Sequence, residues 1–273
     1  MTPLELAART AQRAPSILNT QPWTWRITGN VMELSADPDR RIGSIDPDGR
    51  LLLLSCGAAL HHARIALNSA GWATTVDRLP DQERPDLLAR IRLTGETTPD
   101  PEDWRMAAAI RRRRTDRRAF ADEPVSDFEL TKLRRFVESE GTYLHVVRPD
   151  QLPMLAACVR DLAPGSQVAV PADAARDRGA AYVVLFGVDS QPLDLLRAGE
   201  ALSALLLLAT ADGLATAPLS DAVEIAWPHQ LLRGLLAGLG EPYVAVRLGH
   251  ARNREPLPPV PRRDPRDVIA ITD

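Results

Sequence analysis

Lysine is almost absent from this sequence: Lys132 stands alone among 33 basic residues, so 33 − 1 = 32 are arginine. That bias points to a GC-rich genome more than to a mechanism. Cysteine is nearly as scarce, with only Cys56 and Cys158. Neither sits in a Cys-x-x-Cys or Cys/His spacing, so no metal centre is expected. Cys56 lies in an apolar run and Cys158 in a helical pattern, as expected of buried free thiols in a reducing compartment. The chain does not open with a basic segment followed by an apolar one. No apolar run reaches the ~20 residues that a membrane-spanning helix needs. We therefore expect a cytoplasmic protein with no membrane partner. A Walker motif and a serine nucleophile elbow are also missing, and Gly238-Leu239-Gly240 is too short to be a dinucleotide fingerprint. The net charge of −3 argues against a nucleic-acid partner, despite one local run of arginine.

What is present suits a soluble chain of 273 residues, with 45% hydrophobic and 25% charged residues. That length allows one large core or two half-sized units sharing one. Periodicity predicts a helix over 3–14, a hairpin over Trp23–Ala36 with its turn at Gly29-Asn30, and an apolar helix from Leu51 to Gly71. Strands are predicted over 73–79 and 89–93. Residues 97–103 form a polar, Pro-containing stretch that reads as a linker. Helices follow over 104–114 and 127–139, the second capped by Ser126. A strand at 143–147, a helix at 151–162, a Pro/Gly/Ala-rich loop at 163–179 and a strand at 182–188 come next. An apolar helix at 193–213 and a last strand at 243–248 precede a Pro-rich tail. His61 and His62 read as packing and surface residues.

The two apolar helices match each other. Gly57-Ala58-Ala59-Leu60 leads to Gly71, and Gly199-Glu200-Ala201-Leu202 leads to Gly213; 71 − 57 and 213 − 199 are both 14. A closing glycine ends a helix in the left-handed region, and an opening glycine permits close packing. The match implies a tandem duplication with two long helices packed at its centre. Residues 1–100 would form one half and 101–273 the other.

Two motifs carry chemistry. Pro15-Ser16-Ile17-Leu18-Asn19-Thr20-Gln21-Pro22-Trp23 is neutral, polar and bracketed by proline. Arg113-Arg114-Thr115-Asp116-Arg117-Arg118 is a dense cationic run that suits a phosphate. The first resembles the PSSxNxQPW loop of FMN-dependent nitroreductases, and the second is similar to their RRSxR phosphate motif. Pro124-Val125, the helix ending at Gly213, and the basic tail Arg262-Arg263-Asp264-Pro265-Arg266 resemble further parts of that family. Ordinary members are homodimers that clasp each flavin between the two motifs of different subunits. Here each motif occurs once, in opposite halves, which looks like the Acg-like branch. Ile17 replaces a serine of the pattern, and Leu18 stands where that branch has histidine.

The resemblance implies an α+β nitroreductase fold, internally duplicated as a single-chain pseudo-dimer with central long helices and antiparallel-rich sheets. It implies one FMN, with NAD(P)H as reductant and a small-molecule electron acceptor such as a quinone or nitro compound. Arg113, Arg114, Thr115 and either Arg262 or Arg263 are candidates for the phosphate. Arg117, or else Arg118, would stabilise reduced flavin. Ser16, Asn19 and Gln21 would reach the pyrimidine edge or ribityl chain, and Pro218, Leu219 and Ser220 would face N5 and O4. No catalytic acid or base is needed, because hydride passes to N5 directly. The branch is also associated with flavin sequestration under a lid, which would fall at 163–179, and with dormancy or stress. An apo scaffold is the third reading. A fused chain is expected to act as a monomer, with higher homo-oligomers left open.

Overall fold

A computed structural model describes residues 1–155, 178–219, 226–253 and 255–272, without the side chains of 226–228. Cys158, Ser220 and residues 163–177 therefore lie outside the described residues. The first half runs α1 (Pro3–Ala11), β1 (Trp23–Thr28), β2 (Val31–Ala36), α2 (Arg50–Ser69), β3 (Trp72–Arg78) and β4 (Leu87–Glu96). After α3 (Pro101–Arg112) the second half runs α4 (Asp127–Ser139), β5 (Tyr143–Val146), β6 (Ala181–Gly187), α5 (Pro192–Ala211) and β7 (Leu214–Leu219). It continues through α6 (Ala226–Leu235) and β8 (Glu241–His250) to a short helix, α7 (Pro265–Val268), and β9 (Ile269–Thr272).

The duplication is visible in topology as well as in sequence. One sheet has the order β3-β4-β2-β1-β9, the other β5-β6-β8-β7. Reading the second from its other edge, β7-β8-β6-β5 repeats β3-β4-β2-β1. All pairings within these two sets are antiparallel. Helices α2 and α5 both span 20 residues, and 192 − 50 and 211 − 69 both equal 142. The helices meet at Gly57 and Gly199. A Cβ on Gly57 would overlap the Leu196 carbonyl oxygen, and one on Gly199 would overlap that of Leu54. Since 196 − 54 is also 142, the crossing is two-fold symmetric. The same offset relates His61 to Ser203, and these meet with Ser203 Oγ 2.8 Å from His61 Nδ1. The α+β, internally duplicated architecture with central long helices expected from the sequence is thus present.

Each sheet rests on its own long helix. Trp23, Trp25 and Ile27 alternate inward along β1 and pack on α2 with Met32 and Leu34. Helix α5 is buried on every side from Ala198 to Ala209, and Glu200 is the one charged residue in that stretch. Leu205, Leu206 and Leu208 face the second sheet, while Leu207 meets Met106, Ala109 and Ile110. Each such buried leucine contributes about 2 kcal/mol of apolar transfer energy.

Several local expectations are corrected. The stretch 97–103 is not all linker: Asp100 caps α3, accepting from the Glu102 amide at 2.8 Å, with Pro101 in the first turn. A proline there starts a helix rather than breaking one. Leu214–Leu219 is a strand, paired to β8. Helix α6 precedes Gly238-Leu239-Gly240, which the sequence places at a helix end. The strand at 243–248 is not the last: β9 runs parallel to β1, carrying the end of the chain back onto the first sheet. His61 and His62 are both buried. Desolvation, and after it the charge of Arg64 for His61, lowers both imidazoles well below their ordinary range. Cys56 is buried and free. No helix among the described residues is long and apolar enough to cross a membrane.

Candidate functional site

The loop from Pro15 to Trp23 joins α1 to β1 and is bent where it counts. Leu18, Asn19 and Gln21 have φ of 43°, 59° and 50°, all in the left-handed region. This costs energy for residues with a Cβ and persists only when the surroundings impose it. The surroundings are visible. Ser16 Oγ accepts from the Gln21 amide at 3.0 Å, and Ser55 Oγ on α2 accepts from the Ile17 amide at 3.2 Å. The carboxamide of Asn19 is bonded on both sides to the tail: Nδ2 donates to the Pro261 carbonyl at 3.0 Å, and Oδ1 accepts from Arg262 Nη1 at 2.7 Å. Gln21 Oε1 accepts from the Arg263 amide at 2.9 Å. The tail and the loop thus hold each other in place.

The arginine run begins where α3 ends. Arg113 caps that helix and donates its amide to the Ala109 carbonyl. Its side chain is 4% exposed, and both Nε and Nη1 lack partners. Burial, then the nearby charges of Arg262 and Arg114, pushes its pKa down to about 10. Arg262 is half-buried and its Nε also lacks a partner. Desolvation, followed by the charges of Arg114 and Arg13, lowers Arg262 too. Thr115 bridges to Thr216 of β7, which fixes the run against the second sheet. Arg118 is turned onto Asp116, with Nη2 2.7 Å from Oδ2. Arg263 is turned onto Asp37, with Nη1 3.1 Å from Oδ2.

Two adjoining cavities lie between the loop and the run. Both are lined by Pro15, Ser16, Leu18, Thr115 and Arg117. The smaller, about 110 Å³, is otherwise mostly apolar, with Leu51, Leu54, Leu202, Pro218 and Val244 on its walls. The larger, about 380 Å³, adds Asn19, Arg113, Arg114 and Arg262, and no carboxylate. The first space is mostly apolar, and the second is cationic. A broader trough of about 750 Å³ on the first sheet differs, because Glu33, Glu83, Asp86 and Asp267 line it along with its arginines. There, Glu33 takes Arg84 at 3.2 Å and Arg90 at 2.8 Å.

Eight of the residues singled out by sequence therefore converge on the two cavities: Ser16, Asn19, Arg113, Arg114, Thr115, Arg117, Pro218 and Arg262. Gln21 and Leu219 are buried but do not line them, and Arg118 and Arg263 are engaged elsewhere. Sequence reasoning missed Leu51, Leu54, Ser55, Leu202 and Val244. The glycine contact that crosses α2 and α5 was the available signal, since it sets which turns of each helix flank the site. Among the described residues, no cluster of His, Cys, Asp and Glu could hold a metal ion.

No family model matches the chain. It is 37% identical, over a 305-residue alignment covering 95% of this chain and 88% of the other, to a Mycobacterium tuberculosis H37Rv protein described as "Putative NAD(P)H nitroreductase Rv3131". It is 31% identical over 312 residues to "Putative NAD(P)H nitroreductase acg" of the same organism, covering 97% of this chain and 94% of that one. Among solved structures it matches an FMN and NADPH-dependent nitroreductase, NfnB, from Sphigopyxis sp. strain HMH. That match has a TM-score of 0.49 at 20% identity, over 62% of this chain and 99% of the other.

Proposed function

The chain belongs to the nitroreductase family, in its Acg-like branch, and from that premise we propose that it binds one FMN between its two halves and passes electrons from NAD(P)H to a small acceptor. The observation that carries the proposal is Arg113. A buried guanidinium with two unpartnered nitrogens, in a cavity with three more arginines and no acid, is costly unless an anion completes it. A phosphate monoester fits that need, since it offers several acceptor oxygens to a forked donor. The apolar cavity beside it fits a flat ring system.

Roles follow from position. Arg113 and Arg262 would bind the phosphate, with Arg114 at the rim and the Thr115 hydroxyl as a neutral donor. Ser16, which lines both cavities, would reach the polyol chain between ring and phosphate. Leu51, Leu54, Leu202 and Val244 would enclose the ring and exclude water from one face. Arg117 is the one charged residue shared by the two cavities, so it would stabilise the negative charge of the reduced ring. Pro218 would lie at the ring edge, with Leu219 and Ser220 following it in the chain. Asn19 and Gln21 would act by holding the loop to the tail. When bound, FMN supplies the two-electron chemistry, and the protein supplies binding, orientation and charge.

The experiment is spectroscopic. Purified protein should be yellow or become yellow with one equivalent of FMN, bleach with NADPH or NADH, and recover its colour with menadione or a nitroaromatic. A bound flavin that neither nucleotide bleaches would instead favour a protein that holds FMN without turning it over. No flavin binding would sink both readings.

A further inference from the structure

We infer that His62 is a positioning residue: it accepts a hydrogen bond from Arg113 and so turns one edge of that guanidinium toward the flavin phosphate. The inference rests on the FMN reading above. Arg113 has two buried nitrogens, Nε and Nη1, without partners among the described residues. On a planar guanidinium these two never share an edge, because each pairs only with Nη2. A phosphate that binds bidentately takes Nη2 together with one of them. The other then needs an acceptor from the protein.

His62 offers that acceptor. It is fully buried, and its Nε2 also lacks a partner among the described residues. Its Nδ1 lies 2.9 Å from the Ala58 carbonyl oxygen, which can only accept. The ring proton therefore sits on Nδ1, where Ser203 Oγ, also at 2.9 Å, shares it. Burial, and then the charges of His61 and Arg113, hold the imidazole well below its ordinary range and keep it neutral. A neutral ring protonated at Nδ1 carries a lone pair on Nε2. The two unpartnered groups lie at one level of the fold. Helices α2 and α3 run antiparallel: Trp104 Nε1 donates to the Ser69 carbonyl at 2.9 Å, and Ile110 shares a packed cluster with Ile65. Arg113 follows Ile110, and His62 precedes Ile65, by the same step, since 113 − 110 and 65 − 62 are both 3. Packing alone does not call for histidine here. The two-fold mate of His62 is Ala204, since 204 − 62 is 142, and that alanine is also buried.

The test compares FMN with riboflavin, which lacks the phosphate, by fluorescence titration of two variants. His62→Asn keeps a polar group at the Nδ1 position and removes the acceptor at Nε2. His62→Gln does the reverse. His62→Asn should weaken FMN about tenfold and riboflavin less than about twofold, while His62→Gln stays within about threefold of the parent for FMN. On top of Arg113→Met, His62→Asn should cost no further FMN affinity. Equal losses of FMN and riboflavin would overturn the inference, because they would make His62 a structural residue. So would a larger FMN loss in His62→Gln than in His62→Asn, or an undiminished effect of His62→Asn on top of Arg113→Met. Should neither variant fold, nitrogen NMR of histidine-labelled, FMN-loaded parent decides. An unprotonated Nε2 on His62 is expected, and a protonated one would overturn the inference. Parent protein that binds neither flavin would refute the FMN reading, and this inference with it. Parent that binds FMN, with His62→Asn binding it equally well, would overturn this inference alone.

Discussion

Two groups of arginine flank the paired helices, and they differ in what faces them. Arg64 and Arg78 close on Glu200, which is fully buried, at 2.8 Å and 2.6 Å, and Arg64 also reaches Glu140 at 2.7 Å. Arg113 and Arg262 face a cavity that no carboxylate lines. The first group is complete in itself and ties α5 to α2, β3 and the end of α4. In the second, Arg113 Nε and Nη1 and Arg262 Nε have no hydrogen-bond partner, and on the proposed reading an anion completes the group. The duplication makes the contrast sharper. Glu200 occupies the position in α5 that Ala58 occupies in α2, since 200 − 58 is again 142.

The contrast can be broken from either side. Glu200→Ala should cost about 3 kcal/mol of folding stability by leaving two guanidiniums without their carboxylate. Denaturant unfolding measures that loss, and FMN affinity of the folded fraction should be little altered. Saturating FMN, at about a hundredfold over its Kd, should add about 2.7 kcal/mol. That corresponds to a rise of about 7 °C in Tm, which Arg113→Met should cut to about 2 °C at the same FMN concentration. The same variant should weaken FMN about fiftyfold without destabilising the apo protein, because the side chain it removes is an uncompensated buried charge. Asn19→Ala frees Arg262 and the tail carbonyl together, and fluorescence titration should show FMN binding weakened about fivefold.

The pH dependence has a definite sign. Burial lowers Arg113 to about 10, well below the ordinary value of a guanidinium. The folded apo protein binds this proton less tightly than the unfolded chain does. Its stability therefore carries the full cost of the buried charge below pH 10, and recovers some of it as pH rises above 10. FMN affinity should move the other way, level from pH 7 to 9 and falling above 10 as the cation is lost.

Much of the fold could be read from the sequence because its strongest signals are local. The spacing of Gly57 to Gly71 and of Gly199 to Gly213 marks both central helices, and Gly29-Asn30 marks the hairpin. The site was legible in the same degree, as a loop and a cationic run. What escaped depends on distant partners. β9 is four residues long and exists as a strand only because β1 lies beside it. Arg113 and Arg118 look alike in sequence, yet one faces a cavity and the other folds back on Asp116. Arg262 and Arg263 divide in the same way, because Asp37, 263 − 37 = 226 positions away, claims the second. The apolar walls of the site come from helices whose leucines are indistinguishable from core leucines until the crossing is known.

The central claim, that one chain builds one complete flavin site from both halves, is tested most directly by titrating apo protein with FMN and following flavin fluorescence. The account predicts one FMN per chain in the parent and about fiftyfold weaker binding in Arg113→Met. Two FMN per chain, or parent and variant binding with equal affinity, would contradict it.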